Sequence, residues 1–219
     1  MFEVLRIVQA APHLAASPRA EVERAIREAT DALAPARALL EPTLPGVWNG
    51  GDWLWRLGFA CESEARAAVA SDVWRQRVAP LFADRSRIAH FEHVAFERGA
   101  SGGASPKSGV YRVALFCANR RPTPERLARF AAETAAMPRH VGAIRAHAFS
   151  TAVEATGARP WTHVWEQEYD DLGGLLGPYM LHPCHWSQVD RWFDPEDPDW
   201  LVDTHLCHTF CATSSPVLA

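Results

Sequence analysis

Along the chain, apolar positions first run together as in a strand, then recur every three to four residues, then run together again, and the whole cycle occurs twice. Val4-Leu5-Arg6-Ile7-Val8 is an apolar, β-compatible run, and Val110-Tyr111-Arg112-Val113-Ala114 repeats it 106 positions later. Each run leads to a hydroxyl-proline step, Ser17-Pro18 and Thr123-Pro124. Such a step predicts a helix start, with the hydroxyl at the N-cap and proline at the first helical position. The predicted helices, residues 19–34 and 125–137, gather Val22, Ile26 and Ala29, or Leu127, Phe130 and Ala131, on one face. Extended segments follow at 38–44 and 53–60 around the turn-rich 45–52, and at 143–151 and 161–169 around 155–160. Helical stretches at 62–82 and 170–193 come next. Runs containing His90-Phe91-Glu92-His93 and His205-Leu206-Cys207-His208 close the two halves as strands.

The repeated order is strand, helix, strand, strand, helix, strand. The segment from Gly99 to Gly109 is the richest in glycine and serine, and its composition predicts a surface linker that holds neither helix nor strand. The chain therefore divides into a first copy at 1–98, a linker at 99–109 and a second copy at 110–219. Copies of this length are far longer than the 20–50 residues of a solenoid repeat, which points to a duplicated domain. One helix layer on one antiparallel sheet makes each copy an α+β unit. The sheet's other face is apolar too, and packing the two sheets together within one chain buries both.

With 22 Lys and Arg against 26 Asp and Glu among 219 residues, the net charge of −4 gives no attraction to phosphate backbones or anionic lipid. No basic run occurs, so nucleic acid and membrane surfaces are excluded as partners. No stretch approaches the ~20 apolar residues of a bilayer span. Glu3 and Arg6 interrupt the apolar N-terminus, which reads as cytoplasmic rather than as a secretory signal. The five cysteines are scattered without a C-x-x-C pair and read as small buried hydrophobes.

Chemistry concentrates in Tyr179-Met180-Leu181-His182-Pro183-Cys184-His185-Trp186. It follows a strand whose alternation is expected to send Trp161, His163 and Trp165 to one face. This arrangement resembles the stress-responsive A/B barrel (Dabb) family, in which a Tyr-x-x-His-Pro-x-His run precedes a helix and a final strand. The resemblance covers Val110 to Phe210. The first half matches in order of elements but not in motif: with Leu81-Phe82 set on Trp192-Phe193, Ala68, Ser71 and Trp74 stand where Tyr179, His182 and His185 do. The resemblance implies a ferredoxin-like dimeric α+β barrel, here formed by tandem copies as an intramolecular pseudo-dimer, with a pocket between sheet and helices. Members of the olivetolic-acid-cyclase type use the Tyr and the second His as an acid/base pair for aldol ring closure, and related plant members act as hydroxynitrile lyases. Carried over, Tyr179 and His185 form the catalytic pair, with His182 and His163 lining the pocket; Trp165, His208 and Tyr111 are further pocket candidates, and Tyr111, on a strand face with Val113 and Leu115, fits a pocket wall or the core. Where the cyclases carry an Asp on the last strand to orient the base, this chain has His208, which aligns with His93 of the first half.

The residues support that chemistry directly. Aldol and retro-aldol reactions need a base that titrates near neutrality and a donor for the developing oxyanion, and a His–Tyr pair supplies both without cofactor or metal. On an uninterrupted helix six residues place the two side chains about 240° apart. Pro183 disfavours helix at His182 and starts a new one, which allows them to meet. The same run also fits a helix-capping or core role, and the nine tryptophans suit either an aromatic ligand or packing, with packing expected for Trp53, Trp74 and Trp192. A metal site is not expected, because on the last strand His205 and Cys207 share a face that His208 does not. The expected activity is a cofactor-independent lyase or cyclase acting on a small hydrophobic, aromatic or polyketide-like carbonyl compound, with the first copy as scaffold and pocket wall. The alternatives are a non-catalytic ligand-binding barrel and a haem- or oxygen-using monooxygenase of the same barrel class. Pairing of the tandem chain into a homodimer stays open.

Overall fold

β1 (Phe2–Ala10) is buried along nearly its whole length, because both faces of its sheet are covered. Its even positions Val4 and Val8 meet helices, and its odd positions Leu5 and Ile7 face the second half of the chain. The computed structural model describes residues 1–105 and 109–219. After β1 come α1 (Ala16–Leu33), β2 (Arg37–Pro42), β3 (Trp53–Phe59), α2 (Glu62–Val69), α3 (Ala79–Ala83) and β4 (Ile88–Glu97). The later half holds β5 (Ala100–Gly103), β6 (Val110–Phe116), α4 (Pro124–Ala136), β7 (Ala146–Thr156), β8 (His163–Tyr169), α5 (Leu172–Gly174) and β9 (Cys207–Ala212).

The strands form one sheet in the order β2-β3-β1-β4-β7-β8-β6-β9, with β5 added on β7. Each half thus repeats the same four-strand order, and the halves join where β4 pairs with β7. At the far seam, bridges Thr43↔Cys211 and Trp48↔His208 bring the loop after β2 onto β9 and nearly close the sheet. The result is the ferredoxin-like dimeric α+β barrel within a single chain. Two helix–sheet cores lie outside it, and a third fills its interior. That interior also holds charge: Arg56 pairs with Glu3 at 2.9 Å and with Glu166 at 3.0 Å, and Tyr111 donates to Glu166.

Several expectations need correction. The Gly/Ser-rich segment is not free of regular structure, since Ala100–Gly103 pairs with β7; its residues 106–108 lie outside the described ones. Glycine is required there because a Cβ on Gly103, at φ +74°, would lie 2.1 Å from the Arg145 carbonyl. Thr123 caps α4 by accepting from the Arg126 amide, as expected, but α1 begins earlier than expected at Ala16, so Ser17 and Pro18 sit in its first turn and Ala15 offers no side-chain cap. Trp161 does not share a face with His163 and Trp165. It precedes β8 in a turn, and its indole reaches into the barrel to donate to Glu92 Oε2 at 2.7 Å. Both long helical stretches are broken, by π-helical turns at Trp74–Val78 and, in the second half, at Leu175–Tyr179 and His185–Val189. Trp53, Trp74 and Trp192 are packed as expected.

Candidate functional site

The second-half site is built by a helix that cannot run straight. Asp171 caps α5 by accepting from the Gly174 amide at 2.9 Å. Pro178 lacks the N–H that an α-helix would use there, and the turn widens so that the Met180 amide reaches back five residues to Leu175. The chain then breaks at His182, whose Nδ1 accepts the Cys184 amide at 3.2 Å, and Pro183 opens a new helical turn. His182 is therefore a cap and does not line the cleft.

The break brings Tyr179 and His185 together, with ring centroids 4.8 Å apart and planes at 84°. Tyr179 is buried and meets the His185 ring edge-on. The π-helical turn has a second effect. It stacks residue i on residue i+5, so Asp190 Oδ1 comes within 3.2 Å of His185 Nδ1, near enough to pair though not aligned as a hydrogen bond. His208 stands where the cyclases carry an orienting Asp, but its Nε2 makes no hydrogen bond to His185 among the described residues. Burial, helped by Arg112 and His185, pushes the His208 pKa down to about 2, so it stays neutral. The alignment of His208 with His93 also shifts: the pairing that sets Arg6 opposite His93 sets Arg112 opposite Phe210, two residues from His208.

Tyr179, His185 and His208 line one cleft of about 300 Å³ between the sheet and the helical turns. Its apolar wall is Phe116, Met180, Val189, Phe193, Leu206 and Trp48, the last supplied by the first half. Trp48 is held by reciprocal backbone bonds of 2.8 Å with His208, while its side chain stays 65% exposed at the rim. Arg112 completes the lining; its guanidinium lies 5.4 Å from the centre of the Tyr179 ring and donates to Gln167 Oε1 at 2.9 Å.

The other expected pocket residues lie elsewhere. Tyr111 is on the opposite face of β6, inside the barrel. Trp165 is in the helix–sheet core against Phe149. His163 packs on Phe130 and Phe149 beside a wider hollow of about 510 Å³, and burial lowers its pKa to about 4. A polar hollow of about 410 Å³ at the barrel end holds His90 and His205, but Glu92 and Asp52 there are already bonded by protein groups. No group of three or more His, Cys, Asp or Glu side chains suited to a metal ion occurs among the described residues. None of their helices is long and apolar enough to cross a membrane. Sequence reasoning missed Asp190, Arg112 and Trp48. Asp190 was visible as a carboxylate near His185, but the α-helical period sets position i+5 well round the helix from it.

No sequence-family model matches the chain, and no curated protein matches it. Solved structures do. An anthrone oxidase-like protein superposes with a TM-score of 0.72 at 11% identity, over 99% of this chain and 91% of that one. A proposed monooxygenase from Lactobacillus acidophilus gives 0.55 at 10% identity, over 100% and 98%. A mutant chlorite dismutase from Candidatus Nitrospira defluvii gives 0.52 at 9%, over 97% and 91%. At these identities the likeness establishes the dimeric α+β barrel fold.

Proposed function

We propose that the second-half cleft binds a flat aromatic carbonyl compound with an acidic C–H, that His185 removes the proton, and that the resulting carbanion reacts with molecular oxygen. The observation that carries this is the convergence of Tyr179, His185 and Asp190 in a cleft whose wall, apart from Arg112 and His208, is apolar. Asp190 orients the imidazole and offsets its charge once protonated, and the Tyr179 hydroxyl donates to the enolate oxygen. The carbanion is electron-rich enough to reduce oxygen without a cofactor: electron transfer and recombination give a hydroperoxide, and loss of water leaves a new carbonyl. A CH₂ group and O₂ thus become C=O and H₂O. Likeness to an anthrone oxidase-like protein and a proposed monooxygenase favours oxygen as the second reactant. Lyase or cyclase chemistry would use the same proton removal and give the carbanion a carbonyl carbon instead.

Oxygen uptake measured with anthrone-like substrates tests the choice. Stoichiometric consumption of oxygen, reduced about a hundredfold in Tyr179→Phe, is the expected result. Turnover that continues without oxygen would move the assignment back to aldol-type chemistry, and activity that requires added haem would favour a haem-using barrel.

A further inference from the structure

Among the described residues Arg112 is a cation without a counterion. It is 5% exposed, its guanidinium carries five N–H donors, and Gln167 Oε1 is its one side-chain acceptor. Among the described residues no carboxylate pairs with it, and its Nε is buried without a partner. Arg56 and Arg98 have a carboxylate partner, whereas Arg6, whose Nε and Nη1 are likewise buried without a partner, is closed in by aromatic rings and faces no cleft among the described residues. Arg56 holds Glu3 and Glu166, and Arg98 holds Glu3 at 3.0 Å. Arg6, 106 positions before Arg112, lies under the rings of Trp74, Phe82 and Phe91 at 4.7, 4.3 and 4.8 Å. Arg112 has one ring, Tyr179, and it lines the cleft. A buried, unpaired charge is costly, and that cost is recovered when an anion arrives.

We infer that the cleft takes its ligand as an oxyanion, a carboxylate or ionised phenol or enol attached to an aromatic ring, with Arg112 as the group that binds it. This rests on the site proposed above and narrows its substrate to anionic aromatics. The apolar wall covers the ring while Arg112, beside Tyr179, takes the oxygen. On the reactive carbonyl's own enolate, the same contact would hold the charge that proton removal creates.

Calorimetric titration of the wild-type chain with 2-naphthoate, its neutral isostere 2-naphthamide, and 2-naphthol across its ionisation tests this. The expected result is that naphthoate binds about tenfold or more tighter than naphthamide, the scale of one charge-assisted hydrogen bond. In Arg112→Met, checked for folding by circular dichroism, the preference falls to about one, and Arg112→Lys restores part of it. Tightening of naphthol binding as its hydroxyl ionises identifies a phenolate-type ligand, and a preference confined to naphthoate identifies a carboxylate. Equal binding of anion and isostere by the wild type, which needs no variant, overturns the inference, as does an unchanged preference in a folded Arg112→Met. Anion preference without oxygen uptake removes only the oxygenase reading; oxygen uptake without anion preference removes only this one.

Discussion

The two halves start from one plan and differ in what stands above an arginine. In the first, a π-helical turn opens at Trp74, whose indole stacks on Trp55, itself stacked on Phe82, and covers Arg6. In the second, a π-helical turn opens 111 positions later at His185, and the space over Arg112 is a cleft instead of a core. An indole fills the volume between sheet and helix; an imidazole with a phenol beside it leaves part of it open and gives it polar edges. A site here depends less on adding chemistry than on omitting bulk, because interiors at crystal-like density leave no room for a ligand. Under the cover of Trp74, burial drives the Arg6 pKa down to about 9, with Glu154 opposing only in part.

The sharpest way to break this contrast is to truncate the paired positions. In His185→Ala, turnover should fall by about 10²–10⁴ with little change in melting temperature. In Trp74→Ala, turnover should stay within about twofold while stability drops by about 3–5 kcal/mol. Equal loss of activity in both would mean the first half takes part in catalysis. Stability against pH comes next. Burial holds His93 at about 4, His163 at about 4 and His208 at about 2, against about 6.5 when unfolded. A depressed histidine contributes stability above the unfolded value, and that contribution is lost as pH falls towards the folded one. Denaturation midpoints should therefore decline from about pH 6.5 to 4, by on the order of 1 kcal/mol per pH unit for each fully depressed imidazole. His163→Phe and His93→Phe should each flatten the slope, and an unchanged slope in both would refute the assignment to buried imidazoles. The smallest effect is expected at Trp48, where the halves cooperate. Trp48→Ala should raise KM about three- to tenfold with kcat nearly unchanged and no loss of stability, since the side chain is mostly exposed. A selective fall in kcat would instead place Trp48 in the chemical step.

Much of this was legible before folding. Thr123-Pro124 marked a helix start, and Pro183 marked the break that lets Tyr179 and His185 meet, because both act through their own backbone dihedrals. The Gly/Ser-rich segment misled because glycine serves close strand contact as well as loops, and only the Arg145 carbonyl just before β7, 2.1 Å from where a Gly103 Cβ would stand, distinguishes them. Tyr111 misled because a covered strand is apolar on both faces, so alternation no longer tells the cleft side from the barrel side.

The amino-acid sequence alone determined the main strands and helices and their order, and it marked at Pro183 the break beside which Tyr179 and His185 meet, since these follow from local periodicity and from proline. Tertiary structure decided the rest. The π-helical turn that sets Asp190 beside His185, the seam that carries Trp48 from one half to the other, and the placing of Arg112 on Gln167 with no carboxylate partner among the described residues all depend on contacts between residues distant along the chain or on a departure from the regular helical period. No local pattern encodes them, because each exists only once two packed surfaces have chosen their register.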